Sequence, residues 1–313
     1  VCVGVVATGF RFTRGMAERK PGELLVADMG GWAKDKGSIW RITRKADGTY
    51  TKVQLLTGID KPSGVQLAPD GKTIFVGTPA NIFKFDPDDT SFHGKPRLKV
   101  VIDAPAPDGA RHPLKQFVFD KQDPNVLYVN FGSFSDVCEA HHNANPCPEA
   151  EGDQARGVIR KYTLGADGLP ASSEIVARGL RNSMALEMHP TSGVLLQGEN
   201  SRDSIDKADR SMSDDELPHE ELNVIEPGTT AATAKHYGWP YCFDNNQTNP
   251  EYRDHVDCST YKAPALLLPP HTAPLGMRFY TGSMFPAAYQ GNLILAYHGY
   301  KPYGHRLVMV PVD

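Results

Sequence analysis

The chain has 313 residues, 40% hydrophobic and 22% charged, with a formal net charge of -4. This is the composition of a globular protein with enough length for a sizeable core. It offers no basic stripe to neutralise phosphates, which argues against nucleic acid, and apolar runs such as Ala263–Leu268 and Leu293–Tyr297 are far too short to span a bilayer. The 29 glycines and 25 prolines are scattered rather than clustered, the turn chemistry of many short strands.

In chain order, the sequence opens on a strand-like run, Val1 to Ala7, with no leader-like segment before it, which fits a trimmed mature form or a truncated chain. A repeat follows. Each copy reads as a turn ending in Gly plus an apolar residue, then a Gly-led strand, then a strand carrying aromatic and basic residues. The first copy holds Arg14-Gly15-Met16, Gly22 to Asp28 and Gly37 to Ile42. The second holds Ser63-Gly64-Val65, Gly71 to Val76 and Asn81 to Phe85, with Gly15 and Gly64 49 residues apart. The third holds Gln116-Phe117-Val118, Asn125 to Val129 and Gly157 to Tyr162; the fourth holds Ser183-Met184-Ala185, Gly193 to Leu196 and Leu222 to Ile225. The fifth holds Leu275-Gly276-Met277, Gly291 to Leu295 and Arg306 to Val310.

Repeats of about 40–50 residues built from short strands predict an all-β chain of β-propeller type, in one domain over residues 1–313. A β-sandwich with chance spacing is the alternative, but it needs no recurrent Gly-led pattern. Insertions interrupt two copies, near residues 134–156 and 204–219, and loops inserted on one face of such a fold mark a binding face. The second, strongly acidic, also fits a solvated surface loop with a short helix. About five blades are visible, and the chain stops at Asp313 just after a strand. A propeller closes its ring to cover its edges, so a last blade is missing or the closure is not legible.

The five cysteines are Cys2, Cys138, Cys147, Cys242 and Cys258. The near pairs Cys138/Cys147 and Cys242/Cys258 lie in polar loops and read as disulfides, implying an oxidising compartment, periplasmic or secreted. Metal ligation competes at the first pair, because His141 and His142 lie between its members, but Cys-x2-Cys spacing is absent. Cys2 has no evident partner.

Several residue groups could carry chemistry. His112, at a strand entry beside Lys115, suits a general base, and the lysine charge would help keep its imidazole neutral; a surface or capping histidine is the alternative. Arg181-Asn182 opens a strand-like run and pairs a planar donor fork with an amide that donates and accepts; a turn with a solvated arginine competes. Glu199-Asn200-Ser201-Arg202-Asp203 offers the hard oxygens that calcium uses, without an EF-hand pattern; an ordinary polar loop competes. Glu220-Glu221-Leu222-Asn223 places further carboxylates at the start of a strand. Tyr237-Gly238-Trp239-Pro240 reads as a packing corner. Thr272 and Lys301 sit at the ends of the fifth copy, where Lys301 suits an anionic ligand or simple solvation.

Taken together, Gly179 to Asn182, Glu199 to Asp203, Glu221-Leu222-Asn223, Tyr237 to Pro240 and Ala273-Pro274-Leu275-Gly276-Met277-Arg278-Phe279-Tyr280 resemble the soluble quinoprotein sugar dehydrogenases. These are six-bladed propellers that use pyrroloquinoline quinone (PQQ) and calcium. His298 to Pro302 and Gly304 to Leu307 look most like the sorbosone-type branch. The resemblance implies a PQQ- and calcium-dependent enzyme oxidising a sugar or a sugar-derived aldehyde, of aldose or sorbosone type, that passes electrons to a separate acceptor. It implies His112 as catalytic base and Arg181 against the cofactor ring. It further implies Asn182, Thr272, Lys301 and Lys115 as cofactor contacts, and the carbonyls of Ser201 and Arg202 as calcium ligands. The family's sixth blade, which adds basic contacts to the cofactor carboxylates, is not found here, and the loop around Lys301 departs from the family's. A non-catalytic propeller binding a partner through its loop face, and a calcium-dependent sugar lactonase, are the competing functions.

Overall fold

A computed structural model describes residues 4–312. Cys2 and the start of the strand-like run at Val1–Ala7 lie outside the described residues; from Gly4 to Ala7 the chain forms no strand. Contacts divide the chain into two compact units.

The first unit comprises Val1–Ala106, Leu114–Phe119 and Leu164–Ala171. One antiparallel sheet runs β1 (Thr13–Lys20), β2 (Glu23–Asp28), β3 (Gly37–Arg44), β4 (Tyr50–Ile59) in sequence order. A second runs β5 (Val65–Leu67), β6 (Ile74–Gly77), β7 (Asn81–Phe85), β8 (Lys99–Asp103) in the same manner. The strand β9 (Phe117–Phe119) also belongs to this unit. The middle strands are apolar on both faces. Leu25, Ala27, Ile39, Ile74, Val76 and Phe83 make one core between the sheets. Burying each large aliphatic side chain stabilises the fold by roughly 1.5–3 kcal/mol.

The second unit comprises Pro107–Pro113, Asp120–Thr163 and Ser172–Asp313. Strands β10 (Val126–Phe131), β11 (Val158–Leu164) and β12 (Pro170–Arg178) are followed by β13 (Ser183–Met188), β14 (Leu195–Glu199) and β15 (Glu220–Ile225). Short strands β16 (Lys235–His236), β17 (Cys242–Phe243), β18 (Gln247–Thr248) and β19 (Leu266–Leu268) precede β20 (Pro274–Phe279), β21 (Leu293–Tyr297) and β22 (Arg306–Val310). The sheet orders are β16-β12-β11-β10, β13-β14-β15-β19 and β20-β21-β22, with β17-β18 a separate ribbon. Leu196, Leu222, Leu268, Met277, Leu293 and Leu295 form the core between the last two main sheets. Among the described residues the one α-helix, α1 (Ile205–Ala208), lies in the acidic insertion. The protein is thus all-β, and each of the five sequence copies seeds one sheet.

Two details of the repeat differ from expectation. The segment read as a turn in each copy falls in or against the first strand of its sheet, as Arg14-Gly15-Met16 does in β1. The reason is a close backbone approach: a Cβ on Gly15 would sit 2.2 Å from the Ser63 carbonyl oxygen, and one on Gly64 2.8 Å from that of Lys115. The outer strands β4, β8, β12 and β19 were not legible. Of these, β4 and β8 are largely exposed, β12 and β19 only in part, and none carries a recurrent glycine.

Both cysteine pairs are disulfides, Cys138–Cys147 and Cys242–Cys258. Cys138 and Cys147 lie close to Glu149, but their sulfurs are bonded to each other, so the metal alternative fails there. All four cysteines share one buried cluster with Val137, Trp239, Tyr241 and Tyr252. This cluster gives the insertion near residues 134–156 a core of its own. The paired variant Cys242→Ser/Cys258→Ser is expected to lower unfolding free energy by about 3 kcal/mol, because it frees a loop of this length in the unfolded chain. Urea unfolding reads this directly; an unchanged midpoint would show that the aromatic cluster alone holds the loop.

Candidate active site

The second unit buries an arginine and spends its donors on three acceptors from two loops. Arg181 follows β12, whose end is held by Leu180 N–H on the Gly157 carbonyl at 2.8 Å. The residue is 4% exposed. Its Nε donates to Asp136 Oδ1 at 2.6 Å, Nη1 to the Asn200 carbonyl at 2.9 Å, and Nη2 to Asp203 Oδ2 at 3.0 Å. Asp136 comes from the disulfide-closed insertion, and its carbonyl accepts the Trp239 indole N–H at 2.8 Å. The Tyr237–Pro240 corner is therefore packing, as read, and it also locates the arginine's main counter-ion.

His112 lies beside this charge. Its Nδ1 is 2.8 Å from Ser133 Oγ and 3.2 Å from the Ser133 carbonyl oxygen. Ser133 Oγ donates its own proton to the Ser135 carbonyl at 2.6 Å. Both groups facing Nδ1 are then acceptors, so Nδ1 carries the proton and Nε2 carries the lone pair. Nε2 has no hydrogen-bond partner among the described residues. Burial first, then the charges of Arg181, Arg111 and Arg156, hold the imidazole well below the usual histidine pKa. The ring is neutral at pH 7, as the sequence suggested, but arginines supply the effect that was assigned to Lys115.

Asn182 shares the same spot. A Cβ on Gly132 would lie 2.6 Å from His112 Cβ and 3.3 Å from Asn182 Oδ1, so only glycine permits this approach. Asn182 Oδ1 is buried without a hydrogen-bond partner. The Asn182 amide N–H donates to Glu199 Oε1 at 2.6 Å, which ties the start of β13 to the end of β14.

The remaining predicted residues are placed as follows. Ser201 donates its N–H to Glu220 Oε2 at 2.5 Å and its hydroxyl to the His219 carbonyl at 2.6 Å. Arg202 turns its guanidinium to Glu251 at 2.6 Å. The carbonyls of Ser201 and Arg202 accept no hydrogen bond among the described residues. Thr272, fully buried, donates to the Pro269 carbonyl at 3.0 Å. Lys301 is ion-paired with Asp215 and lies 3.8 Å from Asp214. Lys115 is buried in the first unit, its Nζ on the Pro79 carbonyl at 2.6 Å. His112, Arg181 and Asn182 are thus brought together, with Ser201 linked through Glu199 and Glu220. Ser133, Gly132 and Asp136 were missed, because a serine, a glycine and an acid in an inserted loop carry no signal of their own.

Two buried carboxyls accompany the arginine. Burial raises Glu199 to about 7 and Glu220 to about 8, against hydrogen bonds that favour the anion. Among the donors, Ala273 N–H reaches Glu220 Oε1 at 3.0 Å.

The carbonyls of Ser201 and Arg202 are hard, neutral oxygens of the kind calcium takes, and the orphaned Asn182 Oδ1 is the observation that favours an absent ligand beside His112. The guanidinium plane of Arg181 fits a planar, oxygen-rich organic group, whereas the fully buried Thr272 hydroxyl is already bonded to the Pro269 carbonyl.

Removing one partner of the buried ion pair leaves an uncompensated charge. Asp136→Asn is expected to cost about 3–5 kcal/mol in urea unfolding, and Asp203→Asn, whose side chain is half exposed, far less. The carboxyl shifts set a second expectation. A raised folded pKa means the native state holds its proton while the unfolded chain, near 4.5, has lost it. This contribution is whole below pH 4.5 and is lost as pH rises through about 7 and 8. In chelator, the stability of Glu220→Gln relative to wild type should therefore rise between pH 5 and pH 8; thermal midpoints that stay parallel would refute it.

The chain is 26% identical over 254 residues to a pyrroloquinoline quinone-dependent sugar dehydrogenase of Hypocrea jecorina, covering 76% of this chain and 55% of that protein. Its fold matches the holo PQQ domain of pyranose dehydrogenase from Coprinopsis cinerea, at 21% identity and a TM-score of 0.73 over 98% of this chain and 77% of that one. It also matches the calcium structure of the family AA12 carbohydrate-active enzyme of Trichoderma reesei, at 21% identity and a TM-score of 0.76 over 98% and 79% of the two chains. The fold is accordingly a β-propeller with five blades in this chain. The chain spans about half the length of the curated relatives it matches. The match to the TrAA12-like family extends over residues 1–313, and the chain belongs to that family.

Proposed function

We propose that this chain holds the catalytic centre of a PQQ- and calcium-dependent dehydrogenase that oxidises a sugar or a sugar-derived aldehyde, of aldose or sorbosone type. The observation that carries the reading is a buried, neutral His112 with a free Nε2, set beside Arg181 and the unpartnered Asn182 Oδ1. The names of the relatives support it.

In this reading the carbonyls of Ser201 and Arg202 face calcium, while Arg181, Asn182, Thr272 and Lys301 hold the quinone. When bound, the quinone supplies an electrophilic carbon that takes hydride, polarised by the metal. His112 Nε2 accepts the proton of the substrate hydroxyl. Ser133 keeps Nδ1 protonated and the ring oriented, so the lone pair stays on the substrate side. Arg181 contributes fixed positive charge without reorganising, because three acceptors already lock it. That same charge makes the imidazolium a strong acid, so the proton is passed on readily. Electrons leave to a separate acceptor. Two disulfides favour an oxidising compartment, secreted or periplasmic; among the described residues no helix is long and apolar enough to cross a membrane.

Titrating PQQ with calcium into the protein should give saturable uptake of a bound quinone spectrum that an aldose bleaches. His112→Ala should slow that bleaching by about 10²–10⁴-fold with quinone affinity kept. The acid limb of kcat/KM should lie below pH 6.5, since the depressed pKa keeps the base unprotonated there. Absence of saturable PQQ uptake would favour a partner-binding propeller, and calcium-only hydrolysis of a sugar lactone would favour a lactonase.

A further inference from the structure

Glu149, in the insertion near residues 134–156, is only 8% exposed and takes no part in the contacts of Arg181. Its carboxylate accepts three donors from two consecutive residues. Oε2 accepts the Phe134 N–H at 2.7 Å and the Ser135 N–H at 3.1 Å, and Oε1 accepts the Ser135 hydroxyl. The position of Glu149 is fixed from outside that loop. Cys147, just before it, lies in the Cys138–Cys147 disulfide and donates its N–H to the Tyr241 hydroxyl at 2.7 Å. The Glu149 carbonyl accepts the Arg156 N–H at 2.7 Å, and Arg156 Nε donates to the Gly132 carbonyl at 2.9 Å.

A trans peptide is planar, and its N–H and C=O point in opposite directions, so whatever holds one end aims the other. In the peptide between Ser133 and Phe134, Glu149 holds the N–H, and the carbonyl at the other end faces His112 Nδ1 at 3.2 Å. In the peptide between Phe134 and Ser135, Glu149 again holds the N–H, and the carbonyl accepts the Arg111 N–H at 2.8 Å, one residue before the histidine. The peptide between Gly132 and Ser133 is held at both ends as well, by Arg156 on its carbonyl and by the Arg181 carbonyl on its N–H at 2.7 Å. Ser133 Oγ follows the same frame, since its proton goes to the Ser135 carbonyl at 2.6 Å. One buried carboxylate thus fixes both acceptors that face Nδ1.

The residue type matters. An ionised carboxylate only accepts, so it can take all three donors, whereas a glutamine of the same shape brings an NH2 group against one of the N–H groups. Among the described residues Glu149 pairs with no cation at salt-bridge distance, and its oxygens are directed to the loop instead. Resting on the reading of His112 as the base of a dehydrogenase, we propose that Glu149 is a positioning residue for His112: by holding the Phe134 and Ser135 N–H groups it aims the Ser133 carbonyl and hydroxyl at Nδ1, which keeps the proton there and the lone pair on Nε2.

Nitrogen-15 NMR of the full chain without cofactor, at a pH where the ring is neutral, reads the tautomer directly, with the His112 signals identified by their loss in His112→Gln. Wild type should show a protonated Nδ1 and an unprotonated Nε2; a protonated Nε2 overturns the proposal. Glu149→Gln should move the tautomer ratio toward Nε2–H by about tenfold, the effect of one lost hydrogen bond. In protein loaded with PQQ and calcium it should slow bleaching by an aldose about tenfold in kcat with KM kept. If Glu149→Gln does not fold, Glu149→Asp, too short to reach all three donors, is read in its place with the same direction expected. A purely structural Glu149 would lower the thermal midpoint and leave tautomer and kcat unchanged; that outcome in whichever variant folds overturns the proposal. If an aldose bleaches the loaded wild type but the variant keeps the tautomer, the Glu149 proposal alone fails. If the tautomer moves as expected but no sugar bleaches the loaded wild type, the hold on His112 stands and the dehydrogenase reading fails.

Discussion

The buried Arg181 guanidinium is the constraint around which the second unit is arranged. A cation taken out of water costs several kcal/mol unless its donors are all matched and its charge is countered. Here one carboxylate and one main-chain carbonyl meet it inside the protein, and a half-exposed carboxylate meets it at the edge. These acceptors come from the insertion near residues 134–156 and from the loop after β14, so the arginine fixes both loops against the end of β12. The two disulfides and the aromatic cluster of Trp239, Tyr241 and Tyr252 hold Asp136 in place by giving that insertion a small core. Covalent closure and aromatic packing far from any chemistry thereby decide where a charge sits.

That charge and the dry surroundings act on neighbours in opposite ways. A low dielectric favours the neutral form of every titratable group. For His112 the arginine adds to the effect, and the imidazole stays unprotonated. For Glu199 and Glu220 the arginine opposes it, yet burial prevails and both carboxyls are raised into the neutral range. The region therefore holds a base in its basic form beside acids near their midpoint, an arrangement met where proton movement or a cation is accommodated. The unpartnered Asn182 oxygen is consistent with this, since a buried acceptor without a donor normally has a ligand or ion to satisfy it.

The propeller architecture makes such a cluster possible at low cost to stability. Antiparallel sheets supply rigid cores of aliphatic side chains, and their connecting loops are free to carry polar groups. The first unit shows this economy most plainly: Gly15 and Gly64 let first strands approach within backbone contact while the apolar middle strands form one core. In the second unit Gly132 uses the same absence of a Cβ to bring His112 next to Asn182. One residue type thus serves packing in one place and the candidate site in another.

Much of this was legible in the residues alone. Gly-led strands at a spacing of about 40–50 residues announced five sheets, because turn chemistry and apolar runs are local properties. Paired cysteines in polar loops announced the disulfides, and His112, Arg181 and Asn182 were identifiable as a candidate group. The outer strands were not legible, since an exposed edge strand carries little hydrophobic pattern. Ser133 and Asp136 were hidden for another reason: they act only through partners 21 and 45 residues away in sequence. The protonation states belong to the tertiary structure as well. They arise from burial and from the convergence of charges, neither of which is a property of any single stretch of chain.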